Sequence, residues 1–108
     1  MSTAVRDNPS ESRYEIHVDG QLAGFSTYKL STDTIAFIHT EIAEAFGGQG
    51  LAGRLVTEEL DDARRRGLAV LPFCPLVRQF IADHPDYLDL VPAKDRSRFR
   101  LPDTTSTE

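Results

Sequence analysis

Glu41-Ile42-Ala43-Glu44-Ala45-Phe46-Gly47-Gly48-Gln49-Gly50-Leu51-Ala52-Gly53-Arg54-Leu55 decides the fold: an extended run ends in clustered glycines that open directly into an amphipathic helix. The first N–H groups of such a helix have no intrahelical acceptor, and the aligned peptide dipoles add a partial positive charge there. With side chains stripped from the turn, a pyrophosphate fits the opening. Glycine is also the ordinary residue of any tight strand-to-helix turn, so the loop alone leaves ligand binding and a purely structural turn both open.

Upstream of the loop, Tyr14, Ile16 and Val18 alternate with polar residues, Asp19-Gly20 signals a tight turn, and Leu22 to Leu30 resumes a strand-like pattern. After a second turn at Ser31-Thr32-Asp33, the stretch from Thr34 to Ile42 is rich in β-branched and aromatic residues. Three consecutive antiparallel strands are predicted. Downstream, Leu51, Ala52, Leu55, Val56, Leu60 and Ala63 recur at helical spacing, with Arg54, Glu58, Asp61 and Arg65 on the other side. Arg64-Arg65-Arg66 complements the dipole at the end of that helix and Gly67 caps it, which explains the basic run without nucleic acid. Leu68 to Cys74 reads as a buried strand weakened by Pro72, and Pro75 to Asp83 as a second amphipathic helix. Residues 1–11 and 92–108 read as tails too poor in apolar residues to pack, flanking one domain over residues 12–91.

The predicted order is β-β-β-α-β-α, an α/β fold with an antiparallel three-stranded start, a βαβ core and a second helix. A crossover of this kind joins parallel neighbours, so Thr34–Ile42 and Leu68–Cys74 are expected to run side by side. Ligands of such units bind beyond the carboxyl ends of the strands. His39, Glu41 and Cys74 are expected there, at the mouth of the same crevice as the glycines.

The chain has 108 residues, 40% of them hydrophobic, which suits one modest core. A net charge of −5 with scattered basic residues gives no footprint for nucleic acid or an anionic membrane. No apolar run approaches the ~20 residues of a membrane span, and a soluble, cytoplasmic protein, a monomer or a weak dimer, is expected. The one cysteine excludes an internal disulfide and a multi-thiolate zinc site, and His17, His39 and His84 show no metal-ligand spacing, so no metal is expected.

His39 and Glu41 lie two apart on one strand and therefore share a face, with Ile35 and Phe37 preceding them. His39 reads either as a core histidine or as a general base. Glu41 reads either as a solvated carboxylate or as the group that holds the His39 tautomer. Cys74 reads either as a small buried hydrophobe or, directly before a helix, as a thiol of lowered pKa.

Strand, glycine loop, helix and strand in this arrangement resemble the acetyl-CoA-binding core of the GCN5-related N-acetyltransferases, whose loop pattern is Q/R-x-x-G-x-G/A. Gly50 and Ala52 match its last two defined positions, and Gly47 stands where Gln or Arg is usual. His39-Thr40-Glu41-Ile42, Gly48-Gln49-Gly50-Leu51-Ala52, Leu71-Pro72-Phe73-Cys74-Pro75 and His84-Pro85-Asp86-Tyr87 extend the likeness from Ser12 to Val91. They are most similar to the small single-domain branch of the YjdJ type. The resemblance implies a minimal acyl-CoA N-acyltransferase (GNAT-like) fold with acetyl-CoA as cosubstrate. It implies pyrophosphate at Gly47, Gly48, Gln49, Gly50, Leu51, Ala52 and Gly53, and pantetheine along Glu41 and Ile42. Cys74 then borders the acetyl group, as a transient acetyl acceptor or as the acid that protonates the departing thiolate.

At this level two functions stand open. One is acetyl transfer to an amine, such as a protein lysine; the other is an acetyl-CoA-binding or interaction module without turnover. A nucleotide-binding fragment is disfavoured, because the P-loop lysine and the G-x-G-x-x-G fingerprint are both missing.

Overall fold

The computed structural model describes residues 2–101. Strands β1 (Thr3–Asn8), β2 (Arg13–Val18), β3 (Gln21–Leu30), β4 (Thr34–Ile42) and β5 (Ala69–Pro72) form a five-stranded sheet in chain order. Neighbours from β1 to β4 are antiparallel, and β4 and β5 are parallel. Helix α1 (Leu51–Arg65) makes the crossover, α2 (Pro75–Asp83) follows β5, and a short α3 (Ala93–Arg96) follows a 3-10 stretch at Pro85–Leu90.

The β2–β3 hairpin turns at Asp19 (φ 51°) and Gly20 (φ 84°), both left-handed, as a two-residue hairpin matched to strand twist requires. At the other end of α1, Gly67 (φ 69°) closes the helix: its N–H reaches Arg64 O at 3.1 Å, and the N–H of Leu68 reaches Ala63 O at 2.9 Å. Leu55, Val56, Leu60 and Ala63 on α1 pack fully buried against Ile16, Ile35, Phe37 and Val70 of the sheet. Each large aliphatic side chain so buried contributes roughly 1.5–3 kcal/mol.

Two readings of the sequence are corrected here. Thr3–Asn8, expected within an unpacked tail, is a full strand paired residue for residue with β2. Its half-buried Thr3, Val5 and Asp7 face the core, and Asp7 accepts a 2.6 Å hydrogen bond from the Tyr28 hydroxyl. At the other end, residues 92–101 fold back onto the domain, with Phe99 and Leu101 buried and the Phe99 ring edge-on to Phe73. The rest of the expected C-terminal tail, residues 102–108, lies outside the described residues.

Two irregularities shape the carboxyl end of β4. Thr27 pairs with His39 but Tyr28 pairs with Phe37, so Ile38 is an extra, bulged residue. The β4–β5 ladder, meanwhile, runs only from Thr34–Ala69 to Phe37–Pro72. Pro72 has no N–H to extend it, and the N–H of Cys74 makes the last tie, to Phe37 O at 2.9 Å. Beyond that point β4 continues to Ile42 without β5 beside it, and the two chains fork.

Candidate active site

The fork, the glycine loop and the start of α1 meet at one end of the sheet. Gly48 (φ 79°) and Gly50 (φ 72°) take left-handed conformations that side-chain-bearing residues rarely adopt. Gly50 caps α1 with no side-chain hydrogen bond, and the first helical bond runs from Arg54 N–H to Gly50 O at 3.3 Å. The N–H groups of Leu51, Ala52 and Gly53 therefore precede the ladder, and the first turn carries no acidic residue to neutralise them. The Leu51 side chain itself is buried, so its contribution to a ligand is confined to the backbone. Gly47, Gly48, Gln49 and Gly50 are exposed.

The fork bares a stretch of backbone. Ala43 N–H bonds to Ala23 O at 2.7 Å, and alternation along the antiparallel ladder directs Glu41 and His39 toward β3 as well. The peptide groups of Thr40 and Ile42 consequently face the side that β5 has left. Gly24 is required beside them: a Cβ there would stand 2.6 Å from Glu41 O and 2.5 Å from Ile42 Cδ1.

His39 and Glu41 lie together, with Nε2 and Oε1 2.9 Å apart, and both are more than half exposed. A carboxylate only accepts, so Nε2 carries the hydrogen of this bond, which in the neutral ring leaves the lone pair on Nδ1. The expectation that they share a face with Ile35 and Phe37 is overturned. The bulge at Ile38 shifts the strand's alternation by one, sending Ile38, His39 and Glu41 outward and Thr40 into the core. On that outer face the Phe25 ring meets His39 edge-on, and the Arg13 guanidinium lies 4.7 Å over Phe25.

Cys74 is also corrected. Its backbone sits at the apex of the fork, but the thiol is 2% exposed and turned inward, with Sγ 3.4 Å from Thr40 Oγ1. Tying the Cys74 N–H to β4 fixes the residue over the core before Pro75 starts α2.

Sequence reasoning missed Glu59, which is fully buried on α1. Its position three and four residues after Val56 and Leu55 is the signal, since it fills a slot in the apolar stripe. A polar cluster forms around it from Ser26, Thr40 and Cys74. Burial holds the Glu59 carboxyl well above the usual carboxylate range; Ser26 opposes that shift and Cys74 adds to it.

Among the described residues, no group of three or more His, Cys, Asp or Glu side chains is placed to hold a metal ion. A hollow of about 600 Å³ opens at the other end of β4 and β5, between Asp33, Gly67, Lys94 and Arg98. Size alone would draw attention there, but neither the glycine loop nor the fork reaches it.

The family model of the GCN5-related N-acetyl-transferases matches residues 13–90. The chain belongs to that family. It is thus an N-acetyltransferase by descent, and its α/β architecture is the one this family uses. The solution structure of a GCN5-like protein from Staphylococcus aureus superposes with a TM-score of 0.63 at 20% identity, over 82% of this chain and 87% of that one. The crystal structure of Ard1 from Thermoplasma volcanium aligns more narrowly, with a TM-score of 0.49 and 24% identity over 56% of this chain and 43% of that one. No curated protein matches the chain in sequence.

Proposed function

We propose that this N-acetyltransferase takes its acetyl group from acetyl-CoA and delivers it to a primary amine, with a protein lysine as the acceptor class, and that it belongs to the small single-domain branch of the family. The observation that carries this reading is the meeting of a glycine-lined helix start, without a side-chain cap, with the bared edge of β4. A pyrophosphate fits the amides from Gly48 to Gly53, and the amide-bearing pantetheine arm fits the peptide groups of Thr40 and Ile42 as an added strand does. Acetyl-CoA brings an activated thioester to the fork, close to Cys74.

His39 accepts the proton of the attacking amine at Nδ1, while Glu41 holds the ring through Nε2 and stabilises the imidazolium that forms. Both sit on the open outer face, which leaves room for a long, flexible side chain such as lysine. Measuring CoA release with acetyl-CoA and a panel of amines that includes a lysine peptide tests the proposal. His39→Ala is expected to keep CoA affinity and lose roughly 10²–10⁴-fold in rate. CoA release by the wild type with none of the amines would refute enzymatic acetyl transfer, and an unaltered His39→Ala rate would remove His39 from the mechanism.

A further inference from the structure

Helix α1 carries the Glu59 carboxyl into the core, where an ionised, unpaired carboxylate is strongly disfavoured. Its Oε2 has Ser26 Oγ at 3.2 Å, while its Oε1 has no partner among the described residues. A group so placed is held as the neutral acid, with a proton to give. Ser26 Oγ stands 3.1 Å from Thr40 Oγ1, which in turn stands 3.4 Å from Cys74 Sγ. Groups from α1, β3, β4 and the turn before α2 thus form one unbroken line from a buried acid to the thiol of Cys74, whose backbone stands at the apex of the fork. Each hydroxyl in it has one hydrogen to pass on and lone pairs to receive another.

We propose that Glu59 is a buried proton store that, through Ser26 and Thr40, resupplies the Cys74 thiol as that thiol protonates the CoA thiolate expelled during acetyl transfer. The inference rests on the acetyl-CoA reading given above and adds the source of the leaving-group proton. In the step, the C–S bond of the thioester breaks and its electron pair stays on the CoA sulfur, which takes the proton of Cys74. Thr40 replaces that proton on Sγ, Ser26 replaces the one lost by Thr40, and Glu59 replaces the one lost by Ser26. CoA leaves as the thiol, Cys74, Thr40 and Ser26 end neutral, and Glu59 ends as a carboxylate. The amine's proton goes to His39 on the opposite face, and one solvent proton restores Glu59. The thiol is itself buried, so the proton that replaces the one it gives up comes along this line rather than from bulk water.

The groups that face the Glu59 carboxyl are Ser26 from β3 and, beyond it along the line, Thr40 from β4 and Cys74 ahead of α2. The test compares wild type, Glu59→Gln and Ser26→Ala for CoA affinity by calorimetry and for CoA release against pH with the same amine panel. Glu59→Gln keeps the shape and loses the proton, and Ser26→Ala breaks the line while leaving the acid in place. Both are expected to bind CoA as the wild type does and to release it roughly 10²–10⁴-fold more slowly. The wild-type rate is expected to fall at alkaline pH as Glu59 ionises, and that limb to be lost in Glu59→Gln. Infrared difference spectra at neutral pH are expected to show a protonated-carboxyl band in the wild type that Glu59→Gln abolishes, a readout independent of turnover and of the acceptor. Absence of that band, or equal rates and pH profiles in all three proteins, overturns the relay and leaves acetyl transfer standing. Failure of the wild type to bind CoA overturns the parent reading and the relay with it.

Discussion

Ile38, an extra residue against β3, reverses the alternation of β4, so Thr40 joins the buried cluster while His39 and Glu41 meet at the open surface. Nothing in the sequence marks it, since Phe37-Ile38-His39 continues an unbroken β-like run and a one-residue slip depends on how the partner strand lies. Glu59 has a measurable thermodynamic signature. Its folded pKa is raised above its unfolded value, so the folded state holds a proton that the unfolded state has released. Its contribution therefore falls as pH rises from the unfolded carboxylate pKa toward the folded one, at no more than ~1.4 kcal/mol per pH unit. Glu59→Gln removes that slope, and urea unfolding across pH 5 to roughly 8 is expected to show the variant gaining on the wild type as pH rises. A constant difference would mean that Glu59 is not held neutral. Asp62, Asp89 and Glu15 act in the other direction. Asp62, whose own burial works against the shift, is lowered by its bonds from Tyr14, Arg65 and Arg66. Asp89 is lowered by its pairing with Arg64, and Glu15 first by its bond from Asn8. Their stabilisation is present above the unfolded carboxylate pKa and lost as pH falls through the lowered folded values.

At the level of elements, the hairpin, the crossover helix and its cap were readable because each rests on local chemistry: Asp19-Gly20 for the turn, the apolar stripe of α1, and Gly67 for its end. Strand β1 was not. Its one large apolar residue, Val5, gives no periodicity, and it is secured by long-range partners, with Asp7 receiving Tyr28 and Ser2 O receiving the Asp19 N–H at 2.7 Å. The glycine loop yields a prediction that separates binding from folding. Gly53 lies inside α1 with open space where a Cβ would stand. Gly53→Ala is expected to raise stability by roughly 0.5–1 kcal/mol, because alanine loses less backbone freedom in a helix. The same methyl group intrudes on the phosphate approach, so CoA affinity is expected to drop. Thermal unfolding and calorimetry on the one variant check both halves, and a more stable protein with unchanged affinity would exclude Gly53 from the cradle.

For the whole molecule, the site was legible where it depends on chain order, and illegible where it depends on packing. The glycine loop follows β4 directly, so its place at the carboxyl end of the parallel pair could be read, whereas β5, read as running from Leu68 to Cys74, spans only Ala69–Pro72 and ends two residues before the cysteine. That its thiol turns inward to Thr40 depends on how α1 and α2 cover the sheet, which no local pattern reports. The segment after Val91 is another such case, since Phe99 and Leu101 are isolated in sequence yet buried in the fold. Removing residues 92–108 is expected to cost several kcal/mol, from roughly 1.5–3 kcal/mol for each of these two side chains, and urea midpoints measure it; no change would mean that this segment adds nothing to the core. The central claim is that the start of α1 and the bared edge of β4 together hold CoA. The most direct measurement is a titration of the isotope-labelled protein with CoA, followed by amide chemical shifts. The account predicts the largest changes at Gly48 to Gly53, with a second group at Thr40 and Ile42. Changes centred instead on Asp33, Gly67 and Lys94, at the other end of the sheet, would contradict it.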